Sequence, residues 1–506
     1  MGAFLDIEGA FNNVLPSAIT SSLNNVGIAR EVVALIHQLI TDRTVVAVWG
    51  NSTKEKEVNR GTPQGGVLSP LLWLIVINDL LNNLDRSGCR TVAYADDVAI
   101  VVRGKHLSTI SEVMQTYLET IINWADNCGL AVNSSKTELV LFTRKHRVPD
   151  FDTPSIQGVS LSVKMEVRYL GLLIDRKLNW GPNIRERIRK AEVALYCCKQ
   201  AVGKRWGLSP KAVLWIYTAV VSPILFYGCV VWWKVVDKSC ISNQLLKLQR
   251  TALLSISGAL SSTPTLALNV MLNIPPPDIM AKRNAMTTAL RLRETGVWRR
   301  NSYLPLPPHF GSVPETTDYC VSTVVPDAPF QSFIPSREEW NGVSAWNAGH
   351  LNFFTDGSKL DGKVGGGVYC PELDWKMSFR LPDHCSVFQA EIAALNEVPN
   401  WLKRNITTST TINIFTDSQA AIKSLNSPTI RSKTVRDCLT ALAKVSDYFH
   451  IKIAWVPGHS DIPDNCMADE LTRAGTNLIV RSEQEHLSIQ VASCCTLLEQ
   501  WAIETL

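Results

Sequence analysis

In two stretches of the chain, segments whose apolar residues have the pattern of a strand alternate with segments that have the pattern of a helix. In the first 180 residues the pattern predicts strands at 45–49, 91–102 and 138–143, and helices at 31–41 and 107–130. After residue 349 it predicts strands at 351–355, 364–370, 375–381, 410–416 and 450–456, and helices at 387–403, 418–425, 430–448 and 465–474. We therefore expect two units that mix helices and strands.

The segment between them is helical and basic. Residues 176–211 contain ten Lys/Arg and two Glu, a local net charge of +8. A helical apolar stripe runs through it, formed by Ile184, Ile188, Ala191, Leu195 and Cys198. Such a helix can be an ordinary solvated face, but further basic residues around 282–300 favour a surface that faces phosphates. Residues 301–347 are rich in proline, serine and tryptophan and have no helix or strand period, which is typical of a linker.

The overall composition narrows the class of protein only moderately. The net charge is +4, with 46% hydrophobic and 19% charged residues. These values exclude a disordered chain, a coiled coil and a collagen-like chain. They leave nucleic-acid binding open, because a small net charge can average over strongly uneven parts.

The cysteines and one apolar stretch indicate where in the cell the protein is expected. The 13 cysteines show no CxxC or zinc spacing and predict reduced thiols of an intracellular protein. Residues 212–233 are uncharged, and their length alone would permit a membrane span. We favour two buried helices that are broken at Ser222-Pro223, since proline disfavours a continuous helix.

Three aspartates in the first unit have the spacing of a metal site for nucleotidyl transfer. Asp6 ends a short apolar run, and Asp96 and Asp97 lie within an apolar segment that reads TVAYADDVAIVV. Two adjacent aspartates at a hairpin bend, beside a third on a neighbouring strand, can hold two divalent cations. An isolated Asp-Asp pair is more often a turn or a surface feature. Here it is accompanied by RGTPQGGVLSPLL at 60–72 and RYLGLLID at 168–175.

In this order and at these distances, the motifs of residues 1–260 resemble reverse transcriptases of non-LTR retrotransposons, and the insect R1/jockey-like group in particular. The resemblance implies an α+β palm with a helical thumb. It makes Tyr169-Leu170-Gly171 the primer grip and Lys136 a candidate proton donor to pyrophosphate. The remaining implied roles are metal ligation by Asp6, Asp96 and Asp97, exclusion of a ribose 2′-hydroxyl by Phe11, and contacts to nucleotide and template by Gln64 and Gly65.

The chain departs from this family in two respects. Asn12-Asn13 follow the Ala-Phe pair where the family usually has Asp. The sequence also starts at the first catalytic motif, and we expect it to lack the fingers and the endonuclease domain that precede this motif in the family. We therefore expect a truncated palm with exposed apolar surface and compromised polymerase activity.

Four acidic residues mark the second unit. Asp356 and Asp417 each end a predicted strand, and parallel neighbouring strands would bring them to one sheet edge. Glu391 lies on the inward face of a helix, where an unpaired carboxylate is costly without a cation. Asp469 lies on an amphipathic helix after WVPGHS. Each acid alone has an ordinary explanation: Asp417 as part of a helix cap with Ser418, and Asp356 as a turn residue.

Together with WVPGH, the four acids of residues 349–475 resemble the RNase H family. The resemblance implies an α/β fold with a five-stranded mixed sheet and cleavage of the RNA strand of an RNA–DNA hybrid. It assigns two Mg²⁺ or Mn²⁺ ions to Asp356, Glu391, Asp417 and Asp469, and product departure to His459. Asp464-Asn465-Cys466 differ from the usual Gly-Asn-Glu, and Pro399 interrupts the end of the Glu391 helix.

These expectations combine into one protein. The predicted domains are a palm at 1–180, a helical thumb and connection at 181–300, a linker at 301–348, an RNase H domain at 349–475 and a tail at 476–506. The expected partners are RNA template, DNA primer, RNA–DNA hybrid and deoxynucleoside triphosphates, without a membrane. The expected location is the nucleus and cytoplasm, as a ribonucleoprotein. The alternative is a polymerase-dead nucleic-acid-binding remnant that retains only RNase H activity.

Overall fold

The computed structural model forms two compact units. The first comprises Met1–Ala201 and Thr218–Tyr227, and the second comprises Val202–Tyr217 and Gly228–Leu506. The residues that the structure describes are 1–41, 43–200, 208–294, 317–324, 328–336, 350–405, 411–458, 462–480 and 487–505.

The first unit combines short strands with longer helices. Its strands are β1 (Gly2–Glu8), β2 (Arg43–Trp49), β3 (Ser52–Val58), β4 (Arg90–Tyr94), β5 (Asp97–Val101), β6 (Ala131–Val132), β7 (Glu138–Val140), β8 (Ser155–Ile156), β9 (Val159–Ser160), β10 (Val163–Lys164), β11 (Glu166–Tyr169) and β12 (Leu172–Asp175). Its helices are α1 (Ala10–Asn13), α2 (Pro16–Asn25), α3 (Arg30–Thr41), α4 (Ser69–Arg86), α5 (Leu107–Asn127), α6 (Gly181–Gln200) and, after an excursion into the second unit, α8 (Ser222–Leu225).

The main sheet of this unit has β1 at its centre. The strand order is β10-β7-β1-β5-β4, with β6 also paired to β1. Leu5 and Ile7 of β1 are buried and alternate with the less buried Asp6, as expected for a strand with one covered face. Helix α4 buries Leu72, Val76, Leu80 and Leu84 at a spacing of four residues in the same core. The sheet therefore leaves the ends of β1 and β5 available for polar residues.

One predicted strand of the first unit is wrong. The segment 91–102 is a hairpin, in which β4 and β5 pair antiparallel with Tyr94 opposite Asp97. The chain reverses at Ala95, whose φ of 53° lies in the left-handed region. Alanine gives no sequence signal for such a turn, but its position agrees with the hairpin bend expected at Asp96-Asp97. The helices predicted at 31–41 and 107–130 are observed as α3 and α5.

The basic helix α6 buries three of the five residues of the predicted apolar stripe, while Ile188 and Cys198 are partly exposed. Ile184, Ala191 and Leu195 are buried. Arg187 is also buried, with 5% of its surface exposed, although an arginine was not expected on this face. Its Nη2 donates a hydrogen bond to the carbonyl oxygen of Gly171, so this arginine serves the hairpin β11–β12.

The apolar segment 212–233 is helical, with a break at a different position from the predicted one. Helical structure runs from Pro210 through Pro223 to Leu225, because a π-helical turn at Tyr217–Val221 precedes the proline. The break comes at Gly228, which has a φ of 62°. No described helix is by itself long and apolar enough to cross a membrane; Pro210–Leu225 and Cys229–Asp237 together reach that length and composition but are bent by 54°.

The second unit contains a helical part and an α/β part. Its strands are β13 (Tyr319–Val324), β14 (Gln331–Phe333), β15 (Leu351–Leu360), β16 (Lys363–Cys370), β17 (Trp375–Leu381), β18 (Thr411–Thr416), β19 (Thr429–Ser432) and β20 (His450–Trp455). Its helices are α7 (Pro210–Ile216), α9 (Cys229–Trp232), α10 (Ser239–Ser257), α11 (Thr265–Leu272), α12 (Pro277–Glu294), α13 (Val387–Arg404), α14 (Gln419–Leu425), α15 (Lys433–Ser446), α16 (Pro463–Gly475) and α17 (Val491–Glu504).

A mixed sheet of six described strands organises the α/β part, where five strands were predicted. Its order is β14-β20-β18-β15-β16-β17. The sixth strand, β14, pairs parallel with β20. Both β14 and β13 lie in the segment 301–348 that the composition assigned to a linker. Short edge strands of this kind are stabilised by their partners, so their own sequence predicts them poorly.

Helix α13 continues through Pro399, although the sequence predicted an interruption there. The helix begins with a capping box, in which Ser386 and Gln389 satisfy each other's backbone N–H groups. Val398, Pro399 and Leu402 are buried, so packing stabilises the last turns despite the missing backbone donor.

Candidate active sites

The predicted aspartates of the first unit lie on adjacent strands. In the antiparallel register, Asp6 of β1 is directly opposite Asp97 of β5. Asp96 precedes Asp97 in the hairpin turn, and its carbonyl oxygen accepts a hydrogen bond from the Ile7 backbone N–H at 3.3 Å. The Trp73 indole fixes the same turn by donating to the Ala95 carbonyl at 2.8 Å. Burial, followed by the charges of Asp96 and Asp6, raises the pKa of Asp97 above its ordinary value.

Lys136 joins this cluster from the turn between β6 and β7. The Asn133 side chain accepts a hydrogen bond from the Lys136 backbone N–H at 3.0 Å and shapes the turn. Lys136 Nζ lies 3.1 Å from Asp6 Oδ2, and this partner raises the pKa of the lysine. Within the described residues, the three aspartates do not bring their oxygens to within 4.8 Å of one another.

The loop of residues 60–66 is attached to the segment that follows Asp6. The Thr62 N–H donates to the Phe11 carbonyl at 2.7 Å, and the Gly61 N–H donates to the Val14 carbonyl at 2.8 Å. Phe11 packs against Trp73, with 5.9 Å between ring centroids. Gln64 and Gly65 are exposed in this loop. The structure therefore brings the loop and Phe11 to the same strand end as the aspartates.

The hairpin β11–β12 carries the Tyr169-Leu170-Gly171 motif. Tyr169 packs on Phe4 of β1 with 5.3 Å between centroids, and burial, followed by the charge of Asp97, raises the pKa of its hydroxyl. The turn residues Leu170 and Gly171 have φ values of 46° and 77°. The Tyr227 hydroxyl donates to the Leu170 carbonyl at 3.0 Å, and the Arg187 guanidinium, which holds Gly171, lies 5.0 Å from the Tyr227 ring centroid.

The acids of the second unit converge more closely. Strands β15 and β18 are parallel neighbours, with Thr355 opposite Thr416, so Asp356 and Asp417 lie side by side as predicted. Asp356 does not end its strand, however, because β15 continues to Leu360, and this excludes the turn alternative. Ser418, not Asp417, caps helix α14.

Helix α13 brings Glu391 to these two aspartates. A Cβ on Gly357 would lie 2.4 Å from the Glu391 backbone nitrogen, so only glycine allows the helix to approach β15 this closely. One carboxylate oxygen from each of Asp356, Glu391 and Asp417 lies within 4.8 Å of the other two. Thr416 Oγ1 donates to Glu391 Oε2 at 3.4 Å.

The electrostatics of this group favour a cation. Burial, followed by the charges of Asp417 and Asp469, raises the pKa of Asp356 to about 6. Burial and the two neighbouring aspartates raise the pKa of Glu391 well above its usual range. Asp356 Oδ2 is buried without a hydrogen-bond partner. Buried carboxylates without cationic partners are costly, so these residues fit a divalent metal ion.

Asp469 approaches the group from helix α16. Its carboxylate pairs with Arg473 at 2.7 Å, one turn later on the helix. The helix lies against β16, because a Cβ on Gly367 would be 2.5 Å from the Ala468 carbonyl oxygen. Sequence reasoning missed this contact, although the run Gly365-Gly366-Gly367 within a strand is a signal of close backbone approach. His459 lies outside the described residues.

Comparisons with known proteins match both regions of the chain. Residues 1–174 match the family model described as reverse transcriptase (RNA-dependent DNA polymerase), and residues 348–477 match the RNase H model. These two regions contain the two clusters of acids described above.

Similar proteins come from insect retrotransposons. The 115 kDa protein in type-1 retrotransposable element R1DM of Drosophila melanogaster is 28% identical over 58% of this chain and 28% of that protein. A Pol polyprotein from retrotransposable element R1 of Bradysia coprophila is 27% identical over 58% of this chain and 29% of that protein. The RNA-directed DNA polymerase from mobile element jockey of Drosophila melanogaster is 28% identical over 51% and 28%. The matches thus span under a third of each relative.

Proposed function

We propose that this chain copies element RNA into DNA and cleaves the RNA strand of the resulting hybrid. The premise is that it carries a reverse transcriptase domain and an RNase H domain similar to those of non-LTR retrotransposons. One observation carries the proposal: Asp356, Glu391 and Asp417 converge to within 4.8 Å in the region that matches RNase H. Three hard oxygen ligands, two of them buried, suit Mg²⁺ or Mn²⁺.

In the RNase H domain, Asp356, Glu391, Asp417 and Asp469 would hold two divalent cations. When bound, these cations supply Lewis acidity for the attack of water on a phosphodiester. The Thr416 hydroxyl orients Glu391, and the Thr472 hydroxyl fixes the Asp356 backbone through its carbonyl at 2.9 Å. His459 would assist departure of the product, as the family resemblance implies.

In the reverse transcriptase domain, Asp6, Asp96 and Asp97 would hold the cations that polymerisation requires. Phe11 would exclude the ribose 2′-hydroxyl, and Gln64 and Gly65 would contact the incoming nucleotide and the template. Lys136 would donate a proton to pyrophosphate. Its contact with Asp6 keeps the ammonium group at the site, and lysine carries a proton at neutral pH.

The partners follow from these activities. We propose residues 1–180 as palm and 181–300 as thumb, with the basic helix α6 facing the phosphates of RNA template and DNA primer. Deoxynucleoside triphosphates would be the substrates of the first domain. The proposed location is a ribonucleoprotein in the nucleus and cytoplasm.

The test uses the purified full chain and two assays. We expect Mg²⁺- or Mn²⁺-dependent cleavage of RNA labelled within an RNA–DNA hybrid, with 3′-hydroxyl products, and no cleavage of the same RNA in an RNA duplex. Asp417→Asn should abolish cleavage, while the matched control Asp361→Asn, at the exposed turn after β15, should leave it unchanged. Primer extension on an RNA template tests the other domain. Equal cleavage by wild type and Asp417→Asn would contradict the RNase H assignment.

A further inference from the structure

The hairpin β2–β3 is a two-stranded ribbon on the surface of the first unit. Its strands pair with each other and with no other described strand. Every residue from Thr44 to Glu57 is exposed, including Trp49, which has 89% of its surface accessible beside the turn. An isolated two-stranded ribbon is marginally stable in water, and exposed apolar residues on it indicate an interaction surface.

The strand register separates the charges of this hairpin onto opposite faces. Residues directly opposite each other point to the same side of a ribbon, and successive residues alternate between sides. Val45 is opposite Lys56, Ala47 opposite Lys54 and Trp49 opposite Ser52. These six residues form one side, which we call the basic-aromatic face.

The other side of the ribbon has the opposite charge. Val46 is opposite Glu55, Thr44 is opposite Glu57 and Val48 is opposite Thr53. The two lysines are therefore adjacent to each other and to apolar residues across the strands, while both glutamates point away. Cross-strand pairing of opposite charges would stabilise a purely structural hairpin, and this register does not provide it.

The base of the hairpin is fixed to the loop of the proposed polymerase site. Arg43 Nη2 donates to the carbonyl oxygens of Arg60 and Gly61, at 2.7 and 2.8 Å. Gly61 and Thr62 in turn bind the backbone of the segment after Asp6 through the Phe11 and Val14 carbonyls. The ribbon consequently projects from the loop that carries Gln64 and Gly65.

We propose that the basic-aromatic face binds single-stranded RNA template as it approaches the polymerase site; this inference rests on the proposed reverse transcriptase function. Lys54 and Lys56 neutralise phosphates, and the exposed Trp49 ring stacks on a base, which is the combination that single-strand-binding surfaces use. Glu55 and Glu57 repel a phosphate backbone from the opposite face and so restrict the template to one side.

The experiment measures binding of a labelled single-stranded RNA, and of the same RNA annealed to a DNA primer, to the full chain in EDTA over a salt series. Trp49→Ala should weaken single-strand binding about 5- to 100-fold, the effect of losing one stacked base. The double variant Lys54→Gln/Lys56→Gln should lower the slope of log K against log salt by about 1.4, or about 0.7 for each lost phosphate contact.

Matched controls lie on the same hairpin. Val48→Ala, and Glu55→Gln combined with Glu57→Gln, alter the opposite face and should weaken neither binding nor its salt slope. Hydrogen exchange of the amides of β1 and β5 reports whether the first unit of each variant is folded.

The outcomes separate the two proposals. If wild type binds neither RNA, the proposed polymerase function fails. If wild type binds both while Trp49→Ala and the double lysine variant keep its affinity and salt slope, the hairpin inference alone is overturned. Self-association that Trp49→Ala abolishes without changing RNA affinity would also overturn it, because the face would then bind a second copy of the chain.

Discussion

Replacing Asp356 by asparagine should stabilise the metal-free RNase H domain while abolishing its activity. The pKa of this carboxyl rises from 3.8 to about 6 in the folded protein. Each unit of pKa difference between folded and unfolded states corresponds to about 1.4 kcal/mol, so ionised Asp356 costs the fold about 3 kcal/mol at pH 7.5. Asparagine removes the charge but keeps a buried polar group, so we expect a net gain of about 1 to 3 kcal/mol.

The pH dependence has a definite sign. Because the folded pKa is raised, the wild-type penalty is absent below the unfolded pKa of 3.8 and grows until pH exceeds about 6. The variant should therefore be more stable than wild type at pH 7.5 and nearly equal to it at pH 4. Mg²⁺ should stabilise the wild-type domain and have a smaller effect on Asp356→Asn.

Hydrogen exchange of the amides in β15 and β18, with EDTA present, reports the unfolding free energy of this domain alone. Asp361→Asn serves as the control, since an exposed position should change stability by less than about 0.5 kcal/mol. The reasoning is refuted if Asp356→Asn brings no gain at pH 7.5, or if the gain is the same at pH 4.

Three further changes test other contacts. Asp97→Asn should lower primer extension at least about 100-fold in a radiolabelled nucleotide assay, because it removes a proposed metal ligand. The same change should leave hybrid cleavage intact. A parallel loss of both activities would contradict two independent sites. Gly367→Ala should displace α16 and destabilise the domain by about 1 to 3 kcal/mol, because the alanine Cβ would lie 2.5 Å from the Ala468 carbonyl oxygen. An unchanged Tm in calorimetry would disprove the close contact. Arg187→Ala should raise the KM for template–primer more than it lowers kcat, because the Leu170-Gly171 turn loses a hydrogen bond that holds it. An equal effect on both constants would count against a positioning role for Arg187.

The sequence predicts the RNase H acids well because their environment is periodic. Asp417 directly follows an apolar strand and Glu391 lies on the apolar side of a helix, so pattern alone places both near the sheet edge. For Asp356 the pattern predicts the strand but not its end, since the residues from Gly357 to Leu360 belong to the strand through their pairing with β16. Helix α13 beyond Pro399 depends likewise on packing.

Two contacts made by single side chains could not be predicted from the sequence. The sequence around Arg187 does not predict its burial, because its partner is a backbone carbonyl oxygen and every residue has one. The left-handed conformation of Ala95 within the expected hairpin bend is similar, since the Trp73 indole that fixes it lies 22 residues away. Gly365 and Gly367 of β16 did carry a signal, because a Cβ on either residue would meet the backbone of α16.

The route of the chain through its two units restricts how the activities can be separated. The chain leaves the first unit after Ala201, returns for Thr218–Tyr227 and then leaves again. Tyr227, the last residue of that return, holds the Leu170 carbonyl. Cutting after α6 would therefore release a fragment of the first unit whose Leu170-Gly171 turn has lost one of its two tethers. A fragment meant to retain that turn must extend past Tyr227, and it then takes α7 away from the second unit, so a single cleavage cannot deliver both halves intact.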